Sequence, residues 1–144
     1  MKFVSEILQA KGHEIWRVTP DTSVYDALKL MAEKNVGALL VLEGDDLVGL
    51  FSERDYARKI ILEGKSSKDT PVKEIMISQV LYVRPEHSVE ECMALMTDKR
   101  VRHLPVLEGG KLVGVISIGD VVKAIISEQD FMIHQLENYI TGSR

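Results

Sequence analysis

The sequence predicts an α/β (α+β) protein made of two β-α-β-β-α units, packed sheet to sheet about a pseudo-two-fold axis. Two observations carry this prediction: an internal repeat and the same order of apolar patterns in both copies. A third is the composition, because 45% hydrophobic and 28% charged residues among 144 are typical of a globular protein with a full core. One copy alone would bury too little surface to be comfortably stable, so we expect the copies to fold together.

The repeat has no gap over most of its length. Residues 18–61 align with residues 83–126 at an offset of 65, and 20 of the 44 aligned positions are identical. A similar segment precedes each copy, at residues 4–8 and 72–76, but with an offset of 68. The loop at residues 9–14 therefore carries three extra residues before the first copy.

The repeat also suggests the domain boundaries. We expect a first unit at residues 1–65, with an N-terminal helix, and a second at residues 66–127, separated by a polar linker. Residues 128–144 are expected to form a C-terminal helix and tail. The helix is predicted from the apolar residues Phe131, Ile133, Leu136 and Ile140, whose spacing is amphipathic.

The elements of one copy follow from its apolar runs and turn residues. A short strand ends near Pro20, and Ser23 stands where the N-cap of an amphipathic helix is expected. The apolar runs 39–42 and 47–51 flank four polar residues and predict a tight β-hairpin. A second helix is expected to begin near Ser52. The open sheet face would be covered by the other copy, a burial that stabilises by about 25 cal/mol per Å² of apolar area.

Charge and composition exclude several classes of function. A net charge of −4 and a pI near 5.6 give no field that would gather nucleic acid. The single cysteine, Cys92, lies in an apolar segment and is expected to be a buried hydrophobe. The four histidines show no metal-ligand spacing, so we assign no metal. Because no signal peptide and no apolar run of about 18 residues is seen, no membrane contact is expected and the cytoplasm is the predicted compartment.

One polar motif occurs in both copies at the start of the second helix. It has the form Gly-x-x-Ser-x-x-Asp and comprises Gly49, Ser52 and Asp55 in the first copy and Gly114, Ser117 and Asp120 in the second. A carboxylate accepts hydrogen bonds only and suits a vicinal diol, and a hydroxyl among the unpaired N–H groups of a helix start favours an anion. A capping arrangement of Ser with Asp is the structural alternative, and the two roles can coexist.

With this doubled motif, the β-α-β-β-α order and the segment Val101-Arg102-His103-Leu104-Pro105-Val106, the chain resembles a tandem pair of CBS domains. This family is named after cystathionine β-synthase. The resemblance implies a module that binds adenosine-containing ligands such as AMP, ADP, ATP, NAD(H) or S-adenosylmethionine between paired units. It also implies that Asp55 and Asp120 accept hydrogen bonds from ribose, and that Ser52 and Ser117 contact phosphate.

The resemblance further suggests crossed clefts, in which one copy supplies the ribose loop and the other holds adenine. The first cleft would combine Ser52, Arg54 and Asp55 with Gln79, Leu81, Val101, Arg102 and His103. The second would combine Ser117, Gly119 and Asp120 with Glu14, Trp16, Val36, Gly37 and Ala38. Leu81 and Trp16 would offer backbone groups to adenine.

These clefts would be chemically unequal. Arg102 and His103 are replaced by Gly37 and Ala38 in the first copy, so phosphate binding would concentrate in the first cleft. In the crossed arrangement, loss of Asp55 should then weaken ligand binding more than loss of Asp120.

Several residues keep two interpretations. The insertion Lys11-Gly12-His13 either supplies positive charge near the second cleft or is simply a loop. Arg102 is either a phosphate contact or a solvated surface charge, and His103 is either a phosphate contact or a satisfied polar residue. Glu53 and Arg54 are either site residues or first-turn surface residues.

The function predicted from these observations is that of an adenine-nucleotide sensor. Ligand binding would change its conformation or assembly, and a separate effector protein would read that change. A homodimer is expected, because the helices and the C-terminal segment offer apolar surface. The alternative is a structural dimerisation module with vestigial clefts. An enzyme with His103 or Glu53 as base ranks lowest, since no P-loop, metal cluster or Ser/His/Asp set is evident; no catalytic residue is assigned.

Overall fold

The computed structural model describes residues 2–141, apart from the side chains of Gln129, Phe131 and Thr141. The chain forms two compact units. The first unit is Glu14–Leu81, and the second unit combines Met1–His13 with Tyr82–Arg144. The predicted tail residues 142–144 lie outside the described residues, as does the side chain of Phe131, one of the apolar residues from which the C-terminal helix is predicted.

Helices and strands alternate along the chain in the predicted order. In sequence they are α1 (Val4–Lys11), β1 (Arg17–Val18), α2 (Val24–Lys34), β2 (Ala38–Glu43), β3 (Asp46–Ser52), α3 (Glu53–Asp55), α4 (Val89–Lys99), β4 (His103–Glu108), β5 (Lys111–Ser117) and α5 (Ile118–Thr141). A π-helical turn, Tyr56–Ile61, continues α3, and a 3₁₀ turn, Val72–Glu74, follows the linker. The predicted mixed fold of two similar units is confirmed.

Each unit contains one antiparallel hairpin with the same register. In the first unit β1 runs parallel to β2, which pairs with β3 so that Leu40 faces Leu50. In the second unit β4 pairs with β5 and Pro105 faces Val115. The first strand is here reduced to one parallel bridge between Val83 and Val106. Both predicted hairpins are confirmed.

The segment that precedes each copy packs against the other copy. The amide of Val4 donates to His87 O and that of Val89 to Lys2 O, both at 2.9 Å. The first unit repeats this pair of bonds between the residues around Val72 and those around Val24. The compact units therefore differ from the repeat-based boundaries 1–65 and 66–127. The helix α1, which precedes the first copy, belongs to the second unit, and residues 66–81 belong to the first.

The predicted helix starts are confirmed at both first helices. Ser23 Oγ accepts from the amide of Asp26 at 3.1 Å, and Ser88 Oγ accepts from that of Glu91 at 3.1 Å. Each bond satisfies one of the unpaired N–H groups of a helix start. Both helices end in a left-handed residue, Asn35 or Arg100.

Each unit has its own apolar core. In the first, Phe51 and Ile60 pack with residues of α2 and β2. In the second, Leu8 of α1 packs with residues of α4, β4 and β5, including Cys92. Cys92 is fully buried, as predicted. Burial raises the pKa of its thiol to about 11, so the reactive thiolate is disfavoured at neutral pH.

The second helices of the two copies differ in length. In the first copy α3 and its π-helical turn stop before Gly64, whose φ is 69°. In the second copy the helix and the predicted C-terminal helix are one continuous element, the 24-residue α5. The reason lies in the sequence, because no glycine or proline interrupts residues 120–140, and these are the residues that commonly end helices.

Candidate functional site

The first copy of the motif forms a capping box at the end of β3. Asp55 Oδ2 accepts from the amide of Ser52 at 3.0 Å and from its hydroxyl at 2.9 Å. In return the amide of Asp55 donates to Ser52 Oγ at 3.3 Å. Asp55 is 7% exposed. The capping alternative therefore holds here, and much of the polar capacity of this pair is used within the loop.

The second copy forms the same loop but leaves more of it open. Asp120 Oδ2 accepts from the amide of Ser117 at 2.8 Å, and the amide of Asp120 donates to Ser117 Oγ at 3.1 Å. The carboxylate side chain is 23% exposed, against 9% for Asp55. Within residues 2–141, Asp120 Oδ1 accepts no hydrogen bond. One carboxylate oxygen and the hydroxyl hydrogen of Ser117 can therefore serve an external partner.

The glycine of each motif makes room for the segment that precedes the opposite copy. A Cβ on Gly114 would lie 2.7 Å from Leu8 Cδ2, and one on Gly49 would overlap Met76 Sδ. Leu8 and Met76 are equivalent in the weaker similarity at an offset of 68. The glycines therefore fix the close approach of these segments to β3 and β5.

Each loop lies beside the start of the preceding strand in its own unit. Ser117 faces His103 across the β4–β5 pair, and the amide of Ile118 donates to Arg102 O at 2.8 Å. In the first unit Ser52 faces Ala38 in the same way. The structure thus places Arg102 and His103 with the Asp120 loop. The crossed clefts would combine residues of both units, and that assignment stays a prediction.

His103 is shielded and faces both signs of charge. Burial lowers the pKa of its imidazole, and the positive charges of Lys11 and Arg102 lower it further, whereas the carboxylate of Asp120 raises it. The net shift is downward from the ordinary value. The imidazole is therefore neutral at pH 7, so His103 offers a hydrogen bond rather than a positive charge.

A lysine stands beside each carboxylate. Lys11 Nζ lies 2.7 Å from Asp120 Oδ2 and donates to Val115 O at 2.9 Å. Lys59 Nζ lies 3.6 Å from Asp55 Oδ1 and donates to Ile75 O at 3.0 Å. The insertion Lys11-Gly12-His13 therefore does bring positive charge to Asp120.

The contacts of Lys11 and Ser117 oppose the effect of burial on the pKa of Asp120. Burial raises the pKa of its carboxyl group, but the hydrogen bonds from Lys11 and Ser117 and the charge of Lys11 outweigh it. The pKa of Asp120 consequently lies below its ordinary value. The residue is therefore an anion at neutral pH.

The remaining predicted site residues are spread over both units. Trp16 is half-buried against the first core, its carbonyl already accepts from the amide of Leu40 at 3.2 Å, and Lys34 Nζ lies 4.4 Å from its ring centroid. The half-buried predicted residues are Arg54, Val36, Gly37, Ala38 and Val101; the exposed ones are Glu14, Gln79, Leu81, Arg102 and Gly119.

Sequence reasoning missed Lys59 and left Lys11 open. A signal was present in the repeat: Lys59 aligns with Ala124, so the second copy lacks the lysine four residues after its aspartate. The insertion at residues 9–14 contains a lysine. The sequence places that inserted lysine before the first copy, and only the structure brings it into the unit that lacks the equivalent of Lys59.

Comparison with known proteins identifies the family. The sequence profile described as "CBS domain" matches residues 4–62 and 72–127. These segments make up most of the chain, so the protein belongs to the CBS-domain family. The class that fold and site define is a regulatory CBS-domain pair.

Two similar proteins agree with this assignment. The mitochondrial CBS domain-containing protein CBSX3 of Arabidopsis thaliana is 44% identical over 149 residues, which covers 96% of this chain and 72% of that protein. A solved structure from Burkholderia ambifaria, described as a candidate signal-transduction protein with CBS domains, is 59% identical. It matches with a TM-score of 0.87 over 89% of this chain and 96% of its own.

A more distant structure shows the same fold with ligands. The CBS domain pair of protein MJ0100 was solved in complex with 5′-methylthioadenosine and S-adenosyl-L-methionine. It is 19% identical and matches with a TM-score of 0.78 over 89% of this chain and 98% of its own.

Residues 2–141 show neither a cluster of metal-ligating side chains nor a membrane-spanning helix. Among residues 2–141, no three His, Cys, Asp or Glu side chains are grouped so that they could hold a metal ion. None of the helices in this part of the chain combines the length and the apolar character needed to cross a bilayer.

Proposed function

We propose that this protein is a regulatory module that binds an adenosine-containing ligand of the class of AMP, ADP, ATP, NAD(H) or S-adenosylmethionine. The observation that carries the proposal is the loop between β5 and α5. There an ionised carboxylate with an uncommitted oxygen, Asp120, lies beside the Ser117 hydroxyl, the neutral imidazole of His103 and the ammonium of Lys11. Such a set can accept from ribose hydroxyls and donate to an anion.

The location of the loop supports an anion beside the ribose. It opens α5, a helix of 24 residues, and the unpaired N–H groups and dipole of a helix start favour negative charge. The adenosine compounds bound by the MJ0100 domain pair are consistent with this class of ligand. We propose that binding alters conformation or assembly, and that a separate effector protein responds.

A binding titration tests the proposal. The five compounds are added to the purified protein, and heat release and thermal unfolding are both measured. A ligand held only by the folded protein stabilises it by about 2.7 kcal/mol at one hundred times its dissociation constant. The proposal is overturned if none of the five, at millimolar concentration, gives heat or raises the melting temperature.

We also propose a homodimer formed through α5. Ile126, Ile133, Leu136 and Ile140 are 50–73% exposed, and their spacing follows the alternation of three and four residues that is typical of a helix-pairing seam. The same observation favours the alternative function, a structural dimerisation module. Dimer formation without any ligand binding would support that alternative.

Light scattering checks the homodimer. Wild-type protein should give twice the chain mass of 16.2 kDa, and the double variant Ile133→Lys, Leu136→Lys should give the mass of one chain, because two buried charges oppose the seam. Gln135→Lys adds a charge to the same helix outside the seam and serves as the control. A wild-type mass of one chain at micromolar concentration contradicts the proposal.

The cytoplasm remains the compartment predicted from sequence. The Arabidopsis relative is described as mitochondrial, so the two proteins offer different expectations. Fractionation of cells that make a tagged full-length chain would decide between them.

A further inference from the structure

The side chain of Lys11 makes a hydrogen bond that a backbone amide makes in the other unit. In the first unit the carbonyl of Leu50 accepts from the amide of Ile77 at 2.9 Å. The equivalent carbonyl, that of Val115, accepts from Lys11 Nζ at the same distance. The reason is that α1 continues as a helix to Lys11, so the amides of this segment are used inside the helix. A neutral donor is replaced by a cation.

The ammonium of Lys11 retains binding capacity. It has three N–H donors, of which one serves Val115 O and one serves Asp120 Oδ2. Within residues 2–141 the third has no acceptor, and the side chain is 34% exposed. A ligand on the Asp120 loop therefore meets a donor that already carries a full positive charge.

A groove between α1 and α5 gives space for an anion at this point. It has a volume of about 170 Å³, and Lys2, Lys11, Lys123, Glu6 and Asp120 line it. At about 30 Å³ for each liquid water, this space equals roughly six water molecules. Three lysines face two carboxylates, and Glu6 already accepts from the amide of Phe3. The excess charge in the groove is positive.

We propose that Lys11 determines the class of ligand that the second unit binds, which is a ribose phosphate. The ribose hydroxyls donate to Asp120, and the phosphate accepts from the free N–H of Lys11 and lies in the α1–α5 groove. This inference rests on the proposed function for the ribose part. The site then selects a nucleotide over the corresponding nucleoside. The first unit lacks this feature, since Lys59 lies 3.6 Å from Asp55 on the same helical segment as that aspartate.

Calorimetry with AMP and adenosine tests the selection. Lys11→Met should weaken AMP binding by about tenfold to a hundredfold, because a hydrogen bond to a charged group is lost, and should weaken adenosine binding much less, because adenosine has no phosphate for Lys11 to contact. Lys11→Arg should keep the preference for AMP. Lys59→Met removes the matching lysine of the first unit and should leave the ratio of the two affinities as in wild type. Thermal unfolding of each variant shows that it is folded.

A second measurement separates this inference from the proposed function. Inorganic pyrophosphate is added to the wild-type protein while the ammonium resonance of Lys11 is followed by NMR. A shift of that resonance without any binding of adenosine compounds supports the phosphate site and overturns the proposed ligand. Equal losses of AMP and adenosine affinity in Lys11→Met, or no loss and no pyrophosphate shift, would overturn the inference itself.

Discussion

The two Gly-x-x-Ser-x-x-Asp loops share a backbone but obtain their positive charge from different places. Asp55 is nearly buried and has Lys59 on the next helical turn, at 3.6 Å. Asp120 is more open and has Lys11 at 2.7 Å, from a helix more than one hundred residues away in sequence. Ala124, the equivalent of Lys59, is part of the second core. Each motif therefore has a lysine beside its aspartate, but the two lysines come from different segments of the chain.

The helices that follow the two loops also differ, and the helix after the second loop is the longer one. After Asp55 the chain makes three helical residues and a π-helical turn, and after Asp120 it makes a helix of 24 residues. The second loop thus combines an uncommitted carboxylate oxygen, a nearby cation and a long helix. This combination favours an anionic ligand at the second loop, the opposite of the order expected from crossed clefts.

The largest effect is expected from the residues that pack on the motif glycines. Leu8→Ala should lower the free energy of unfolding by about 2–5 kcal/mol, because Leu8 is 2% exposed and fills the second core. Met76→Ala should cost less, since Met76 is only half-buried against the first core. Urea unfolding measures both. An equal or smaller loss for Leu8→Ala would contradict the assignment of α1 to the second core.

A smaller effect is expected on ligand affinity and decides between the two loops. Asp120→Ala should weaken adenosine-ligand binding by roughly 1.5–3 kcal/mol, a tenfold loss for each 1.4 kcal/mol. Asp55→Ala should leave the tighter site nearly intact, because Arg102 and His103 lie with Asp120. Calorimetry on the two variants measures this. A greater loss for Asp55→Ala would instead support crossed clefts.

Much of the fold followed from local patterns. The hairpins came from apolar runs around turn residues, and the helix starts came from Ser23 and Ser88, because these patterns act over a few residues. The exchange of the segments before each copy was not predictable. It depends on Leu8 packing on Gly114, more than one hundred residues away, and on Met76 packing on Gly49, nearly thirty residues away. No local pattern specifies such a distant partner.

The motif residues were likewise predictable, and their surroundings were not. Repetition singled out Ser117 and Asp120, but the lysine beside them comes from an insertion that has no counterpart in the other copy. The insertion could be read as a loop or as a charge. Only the continuation of α1 to Lys11 decides this, because it brings the side chain to the end of β5.

The smallest effect expected is on the titration of Asp120. The pKa of Asp120 lies below its ordinary value although burial raises it. The ion pair with Lys11 therefore stabilises the folded protein above the ordinary carboxyl pKa of about 3.9. This stabilisation is lost as the pH falls through the pKa of Asp120 in the folded protein. In Lys11→Met the hydrogen bond and the charge of Lys11 are gone, whereas burial and the bonds from Ser117 remain. The pKa of Asp120 should therefore rise, and the variant should lose stability at neutral pH.

Carboxyl NMR titration of wild type and Lys11→Met measures the change in the pKa of Asp120. Glu91 is the internal control, because hydrogen bonds from Ser88 lower the pKa of its exposed carboxyl group without Lys11, and its titration should not move. If Asp120 also stayed in place, Lys11 would not be the group that holds it ionised. The low pKa would then come from Ser117 and the start of α5 alone, and the two loops would be electrostatically alike despite their different lysines.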